Sequence, residues 1–509
     1  MNTRGKSTEG GAAAAPEPIP PRAGPIELPG FGWRPVAGVA AGVVVLLLAL
    51  AGRYGYHRDE LYFLLAGRHL AWGYVDQPPL TPWLARLSEL ALGDSPLALR
   101  VLPALLAGVD VVLVALLARE FGGERRGQLL AAWATAGSAF VLATGHLLLT
   151  SSADLPASLG VLLLGLRLLR TGDGRWWLPL GAATGLALLN KDLVLLIGLA
   201  LLAAVLVSGP RRALLSRWLP AGLALAVLVA LPNLLWEAAH GWPQLTVANG
   251  ITDKDGEQNR WLLLPLQLVL LSPAVVPLVL RGARRLRREP ELSWARAYPL
   301  AYPLLLWLLS RFGGKAYYAV PLLLVLMAAG CAKPRGTGRV VTAGLLVGAL
   351  VNVVITLPVL PPKALVAVGW IYPEAAEQVG WPQLASAAAR GWAQIPPEQR
   401  DTAVLFAANY GEAGALARYG PGLGLPGPYS GHMSLADWGP PADRQAGPVL
   451  LVHPAGFGAV ERQFTDCRPV GEVDTGQGVA NQEQHAAVVL CAGPSRPWSQ
   501  LWPQLRHYY

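Results

Sequence analysis

Charge is what this sequence has least of. Of its 509 residues, 14% are Asp, Glu, Lys or Arg and 53% are hydrophobic, where a soluble domain carries about 25% charged residues. That shortfall excludes an ordinary soluble enzyme, because several apolar runs approach or reach the roughly 20 residues that span hydrocarbon. Cysteine is scarce too. There are three, with no C-x-x-C or paired histidine beside them, which argues against a zinc site. No P-loop occurs, and "GPGLGLPG" (420–427) lacks the G-x-G-x-x-G spacing and places prolines where a helix should begin. It reads as a turn-rich loop, so nucleotide hydrolysis is not expected to drive this protein. The net charge of +9 does not imply nucleic acid, since most basic residues lie in short loops between apolar runs, as membrane orientation requires.

What is present is a polytopic helical membrane protein. Apolar segments fall near 36–52, 97–118, 128–146, 155–170, 176–190, 192–208, 218–235, 261–280, 297–310, 317–332 and 339–357, about eleven transmembrane helices. The first follows a Gly/Ala/Pro-rich leader (1–33) without a small-residue cleavage site. It reads as a retained helix behind a disordered cytoplasmic leader. Basic loops at 119–126, 167–175, 209–217, 281–296 and 333–339 fall on every second connection. The positive-inside rule places them, with the N-terminus, in the cytoplasm of a multi-pass plasma-membrane protein. A break at Asn190–Lys191 keeps the later loops in alternation.

The outer face then receives residues 53–96, the turn 146–156, the loop 236–260 and everything beyond about 360. The membrane domain accordingly spans 34–360. Residues 361–509 differ in kind. "TAVLFAA" (402–408), "PVLLVH" (448–453) and "AAVVLC" (486–491) read as short buried strands, and "YGEAGALARYG" (410–420) as a helix. A C-terminal extracytoplasmic α/β domain is expected. Cys467 and Cys491 both lie in it, where an oxidising compartment permits a disulfide, while Cys331 reads as a packed thiol in a helix.

Every unusual charge gathers on that outer side. "YGYHRDELYF" places His57, Arg58, Asp59 and Glu60 directly after the first helix, and charge beside hydrocarbon usually marks function. Asp154 supplies a second acid in the next outer turn. Lys191 and Lys315 supply cations, and Tyr317 and Tyr318 supply hydroxyls. Acids facing cations suit transfer of a group from a phosphate. The acid activates an acceptor, and Lys and Arg neutralise charge on the departing phosphate. The plainer alternatives are ion pairing at the interface for the acids and an aromatic belt for the tyrosines.

An acidic pair after the first helix, a downstream Pro-Pro-Leu and a lone Asp opening the fourth helix resemble glycosyltransferase family 39. More broadly they resemble the GT-C superfamily of polyprenyl-phosphate-sugar-dependent transferases, in the branch with bacterial aminoarabinose transferases and protein O-mannosyltransferases. "GLALLNKDLVLLIGL" (185–199), "NLLWEAAHGWP" (233–243), "GGKAYYAVPLLL" (313–324) and "PWSQLWPQLRHY" (497–508) extend the resemblance along nearly the whole chain, the last being similar to actinobacterial members. It implies a GT-C fold with Asp59 as base or acceptor-orienting carboxylate, Glu60 structural or assisting, and Asp154 as the second acid. Arg58, Lys191, Lys315, Tyr317 and Tyr318 would hold the donor phosphate and lipid. His57, Asp76, Gln77 and His240 are candidate substrate contacts. In "DQPPL", Gln77 stands where many members carry Lys, so one cation of the phosphate clamp is missing.

The resemblance implies an inverting single displacement from a polyprenyl-phosphate sugar to a glycan, lipid or protein hydroxyl, with no nucleic acid involved. A divalent cation (Mg or Mn) would assist without being obligatory, and no metal ligands are assigned. Two rival readings are a lipid-linked-sugar flippase or transporter and a non-catalytic envelope scaffold that binds glycan. Against the first, no inverted repeat is visible and the charges lie at one face instead of the midplane. Asp110 is the exception, an acid inside a helix.

Overall fold

The structure is a computed structural model, and it describes residues 28–334, 339–456 and 458–508. Most of the leader, and four residues of the basic loop 333–339, lie outside that set. Residues 29–32 are ordered, contrary to expectation. The Pro29 carbonyl accepts from Arg119, and Gly30 and Gly32 bond the Gln128 side chain.

Helix α1 (Trp33–Leu50) is followed by two helices inside the first loop, α2 (Arg58–Arg68) and α3 (Leu80–Leu92). Then come α4 (Pro96–Glu120), α5 (Arg125–Ala136), α6 (Ala139–His146) and α7 (Thr150–Thr171). Next are α8 (Trp177–Leu188), α9 (Leu193–Ser208) and α10 (Leu219–Ala239). The α8–α9 break carries Asn190 and Lys191, as the loop alternation required. Gly137 and Ser138 separate α5 from α6, which bend by 60°.

Two expectations are corrected beyond this point. Residues 236–260 are not a loop, because α11 (Pro243–Leu262) occupies most of it. Trp242 turns left-handed at its start and Pro243 takes the first helical position, where a missing N–H costs nothing. The segment 261–280 is not one straight span. It divides into α12 (Pro265–Leu271) and α13 (Val276–Arg288), bent by 89°. Pro265, Pro273 and Pro277 remove backbone donors there, and Ser272 sits at φ 102°. The bundle closes with α14 (Tyr298–Arg311), α15 (Val320–Cys331) and α16 (Arg339–Thr356). Among the described residues, five helices are long and apolar enough to cross a bilayer singly, and the two bent pairs bring this to seven. With the shorter apolar helices, this is a multi-pass membrane protein.

The basic connections meet at one end of the bundle. Arg167 and Arg170 both pair with Glu120, Phe121 stacks on Trp294, and Ser208 reaches the Arg296 carbonyl.

After the short α17 (Leu365–Val368) and α18 (Trp381–Trp392), a four-stranded sheet begins. It comprises β1 (Val404–Ala407), β2 (Val449–His453), β4 (Arg468–Glu472) and β5 (Ala487–Cys491) in the order β1-β2-β5-β4. The β1–β2 pair is parallel, with α19 (Tyr410–Tyr419) in the connection, and the other pairs are antiparallel. Strands β3 (Phe464–Thr465) and β6 (Gly493–Pro494) form a separate short ladder, and α20 (Trp498–Leu505) follows them. Side chains alternate across the sheet. Val404, Phe406, Val449 and Leu451 pack on Trp498, Leu501 and Trp502 of α20. Leu405, Ala407, Leu450 and Val452 pack toward α18 and α19. Cys467 and Cys491 are disulfide-bonded, and Cys331 is buried in α15.

The second face of the sheet does not close on itself. Its apolar cluster takes in Tyr56, Leu61, Tyr62, Phe63 and Leu64 from α2 and its approach. The helix after the first span is therefore built into the core of the C-terminal domain, far along the sequence. Gly414 of α19 makes this docking possible, since an added Cβ would stand 2.8 Å from the Cβ of Leu61 and 3.0 Å from its carbonyl oxygen.

Candidate active site

The charged stretch forms the start of α2 because its own side chains cap that helix. His57 is the N-cap. Its Nδ1 accepts from Asp59 N–H (3.1 Å), and Glu60 Oε2 accepts from His57 N–H (2.8 Å). This reciprocal pair satisfies N–H groups that a helix start otherwise leaves orphaned. Glu60 does more. Its Oε1 accepts from Arg100 Nε (3.0 Å) and Leu148 N–H (3.0 Å), and its Oε2 from Arg100 Nη2 (2.7 Å). With Glu60 fully buried and Arg100 1% exposed, both oxygens of Glu60 are committed to holding structure. Of the two roles expected for Glu60, structural or assisting, this geometry is that of a structural anchor. Arg100 went unread in the sequence, although a lone Arg near the start of an apolar helix was the available signal.

Asp59, next to it, remains open. Its side chain is 30% exposed. Oδ1 accepts from the Tyr410 hydroxyl (2.8 Å) and lies 3.5 Å from Arg58 Nε. Arg58 turns over the Tyr410 ring, donates to Gln482, and faces Glu374 at 3.9 Å. Glu374 also takes the Nε2 of buried His57 at 2.9 Å. Burial opposes the Glu374 charge, but the His57 hydrogen bond and the charges of His57, Arg58 and Lys315 overcome it and bring the carboxyl down to about 2. Burial likewise opposes protonation of His57, yet Glu374 and Asp59 raise its pKa. His57 is thus a buried bracket between α2 and the segment at 374, not a free substrate contact.

Asp76 lies beside this group. It accepts from the Tyr62 hydroxyl (2.6 Å), and the Tyr62 ring packs 5.0 Å from that of Tyr410. Burial pushes its carboxyl up to about 6, outweighing the hydrogen bonds from Tyr62 and Ser434, and the charge of Asp59 adds to the rise. Gln77 is 3% exposed, with neither amide atom bonded among the described residues. Its segment is tied to the α8–α9 break, where Leu80 N–H donates to the Leu189 carbonyl and Thr81 to the Asn190 side chain.

That break presents Lys191. Its ammonium lies 3.4 Å from the Tyr317 hydroxyl and over the rings of Tyr317 and Tyr318, at 5.1 and 4.8 Å. Asp154 is close enough for the Lys191 charge to act on it, and its Oδ1 is buried without a hydrogen-bond partner among the described residues. Lys315 connects the halves electrostatically, lying within range of both Tyr317 and Glu374. His240 stands apart. Its ring stacks on Trp236, and its Nδ1 meets the Trp236 carbonyl. Among the described residues, no group of three His, Cys, Asp or Glu side chains is arranged to hold a metal ion.

The arrangement places Asp59 beside Arg58 and Asp154 within electrostatic range of Lys191, with Lys315 acting on both Tyr317 and Glu374. Chemically it offers a carboxylate oxygen to an acceptor hydroxyl and several cations to a departing phosphate.

Residues 76–236 match the family model described as dolichyl-phosphate-mannose-protein mannosyltransferase. An undecaprenyl phosphate-α-4-amino-4-deoxy-L-arabinose arabinosyl transferase from Pseudomonas fluorescens is 26% identical over 275 residues, covering 50% of this chain. The chain spans about half of that relative's length, 48%. The solved ArnT structure from Cupriavidus metallidurans in the apo state superposes with a TM-score of 0.56 at 16% identity, over 91% of this chain and 99% of that one. A second ArnT structure, bound to undecaprenyl phosphate, gives 0.55 at 17%, over 91% and 100%. Arabinofuranosyltransferase AftD from mycobacteria gives 0.52 at 14%, over 93% of this chain and 41% of that one. The fold is that of the GT-C membrane glycosyltransferases. Within that class, the chain resembles ArnT along nearly its whole length.

Proposed function

We propose that the protein transfers a sugar from a polyprenyl-phosphate donor to an acceptor hydroxyl by inverting single displacement. One observation carries the reading. Asp59 is a partly exposed carboxylate whose described contacts fall on Oδ1, with the Arg58 guanidinium 3.5 Å away. Oδ2 takes the acceptor proton while the acceptor oxygen attacks the anomeric carbon. The carbon–oxygen bond to the lipid phosphate breaks, and Lys191, Lys315 and Arg58 receive the charge left on it. Asp154 supplies a charge within electrostatic range of Lys191. The match to the arabinosyl transferase and the likeness to ArnT bound to undecaprenyl phosphate support a polyprenyl-phosphate donor. The acceptor is a glycan, lipid or protein hydroxyl, and no step is assigned to a metal ion.

We place the site on the extracytoplasmic side of the plasma membrane, with the N-terminus in the cytoplasm. The gathering of the basic connections at one end of the bundle supports that orientation. The test is a transfer assay with purified wild type and Asp59→Asn, a panel of radiolabelled polyprenyl-phosphate sugars and crude membranes as acceptor, with EDTA, Mg or Mn. Turnover by the wild type alone supports the reading and names the donor. Lipid binding without turnover by either protein overturns it in favour of a flippase or scaffold.

A further inference from the structure

The C-terminal domain reaches into the reaction centre through one hydroxyl. We propose that Tyr410 is a positioning residue, its phenol fixing the Asp59 carboxylate so that Oδ2 alone faces the acceptor. This rests on the reading of Asp59 as the base.

The geometry behind it is over-determined. Tyr410 is the first residue of α19, whose start is held by a capping box. Asn409 Oδ1 accepts from Glu412 N–H at 2.8 Å, and Glu412 Oε2 accepts from Asn409 N–H at 3.2 Å. The Tyr410 N–H donates to His432 Nδ1 (3.2 Å). Burial, with the charges of His507, Arg58 and Lys254, lowers His432 to about 3, so it stays a neutral acceptor. The Tyr410 ring is clasped between Tyr62 at 5.0 Å and His432 at 5.1 Å, with Arg58 over it. Burial, reinforced by Asp59, holds the phenol well above its ordinary range, so it remains a donor at any working pH. Both protein contacts to the Asp59 carboxylate fall on Oδ1, and among the described residues Oδ2 takes none. A side chain with this many restraints has little freedom, and a hydrogen bond donated to a carboxylate favours its charged form.

The charged and titratable groups facing Asp59 are Arg58 and His57 on its own helix, Asp76 in the first loop, and Tyr372 and Tyr410 from the C-terminal region. Among the described residues, only Tyr410 donates a hydrogen bond to its carboxylate from outside α2.

The experiment compares full-length wild type, Tyr410→Phe and a variant with site-specific 3-fluorotyrosine at 410, which keeps the shape and donates more strongly. Expected for Tyr410→Phe is a kcat lowered about 10- to 100-fold, as for loss of a charge-assisted hydrogen bond. KM for the lipid donor should stay unchanged, with the acid limb of the rate–pH profile moved to higher pH. The fluorinated variant should move the limb the opposite way. A purely structural tyrosine would shift thermal stability without moving the limb in either variant, and that result overturns the proposal. Unchanged kcat in Tyr410→Phe also overturns it, and if that variant does not fold, the fluorotyrosine limb decides. Absence of wild-type turnover with every donor sinks the reading of Asp59 and this proposal together.

Discussion

Arg100 grips Glu60 through Nε and Nη2 while Nη1 reaches the Ala51 carbonyl and Nη2 also that of Gly55, and both side chains are sealed from solvent. One guanidinium thus ties the end of the first span to the start of α2. Neighbouring acids in the sequence accordingly separate by role, with Glu60 holding the backbone on which Asp59 is presented.

Removing one member of a buried pair strands the other. Arg100→Ala or Glu60→Ala should lose on the order of 3–5 kcal/mol, read as a large drop in thermal midpoint of the purified protein in detergent. Asp59→Asn should abolish turnover with a midpoint close to wild type. If Glu60→Ala folds normally and behaves like Asp59→Asn, the anchor assignment is wrong.

Asp76 makes a prediction with a sign. Its carboxyl titrates near 6 in the folded protein against 3.8 ordinarily. The folded state therefore holds the proton more tightly, and the group's contribution to stability falls as pH rises from about 4 to about 6. Asp76→Asn, which keeps an oxygen for the Tyr62 hydroxyl, should stabilise the protein at pH 7 by up to about 3 kcal/mol and hardly at all near pH 3.5. Thermal midpoints across that range check it, and a variant no more stable than wild type at pH 7 refutes it.

Lys191 should report on the donor. Lys191→Met removes the ammonium that lies over Tyr317 and Tyr318, so KM for a polyprenyl-phosphate sugar should rise about 10-fold or more. Equilibrium binding of the lipid phosphate alone should weaken in parallel. Equal binding by both proteins would remove Lys191 from the phosphate site.

The α2–α19 contact is equally exposed to test. Gly414→Val would drive a branched side chain into the backbone of Leu61, and overpacking of this kind costs about 1–3 kcal/mol. Limited proteolysis should then cut between 360 and 410 faster than in wild type. Unchanged protection would mean that the helices separate without consequence.

The spans were legible because apolar length is a local property. The break at Asn190–Lys191 and the strands at 404–407, 449–453 and 487–491 could be read for the same reason. Helix α11 could not, since it buries little beyond Pro243, Val247 and Gly256 and so carries almost no periodic apolar signal. The bend at Ser272 was hidden inside a run apolar enough to pass for a span. In the site, Arg58 and Asp59 announced themselves by standing beside hydrocarbon. Glu374 and Tyr410 did not, because each sits in an unremarkable polar stretch and gains meaning only when folding brings it to α2 from more than 300 residues away. Arg100 lay in plain view, but nothing local names its partner.

The docking of α2 into the sheet's core also sets a schedule for biogenesis. A ribosome adding about 5–20 residues per second needs roughly 20–70 seconds to travel the 351 positions between Asp59 and Tyr410. Throughout that interval the first loop is already made while the surface that receives it does not yet exist. A nascent or prematurely terminated chain therefore carries Asp59 without Tyr410, and the proposed transfer requires the C-terminal sheet domain to be synthesised and docked on α2.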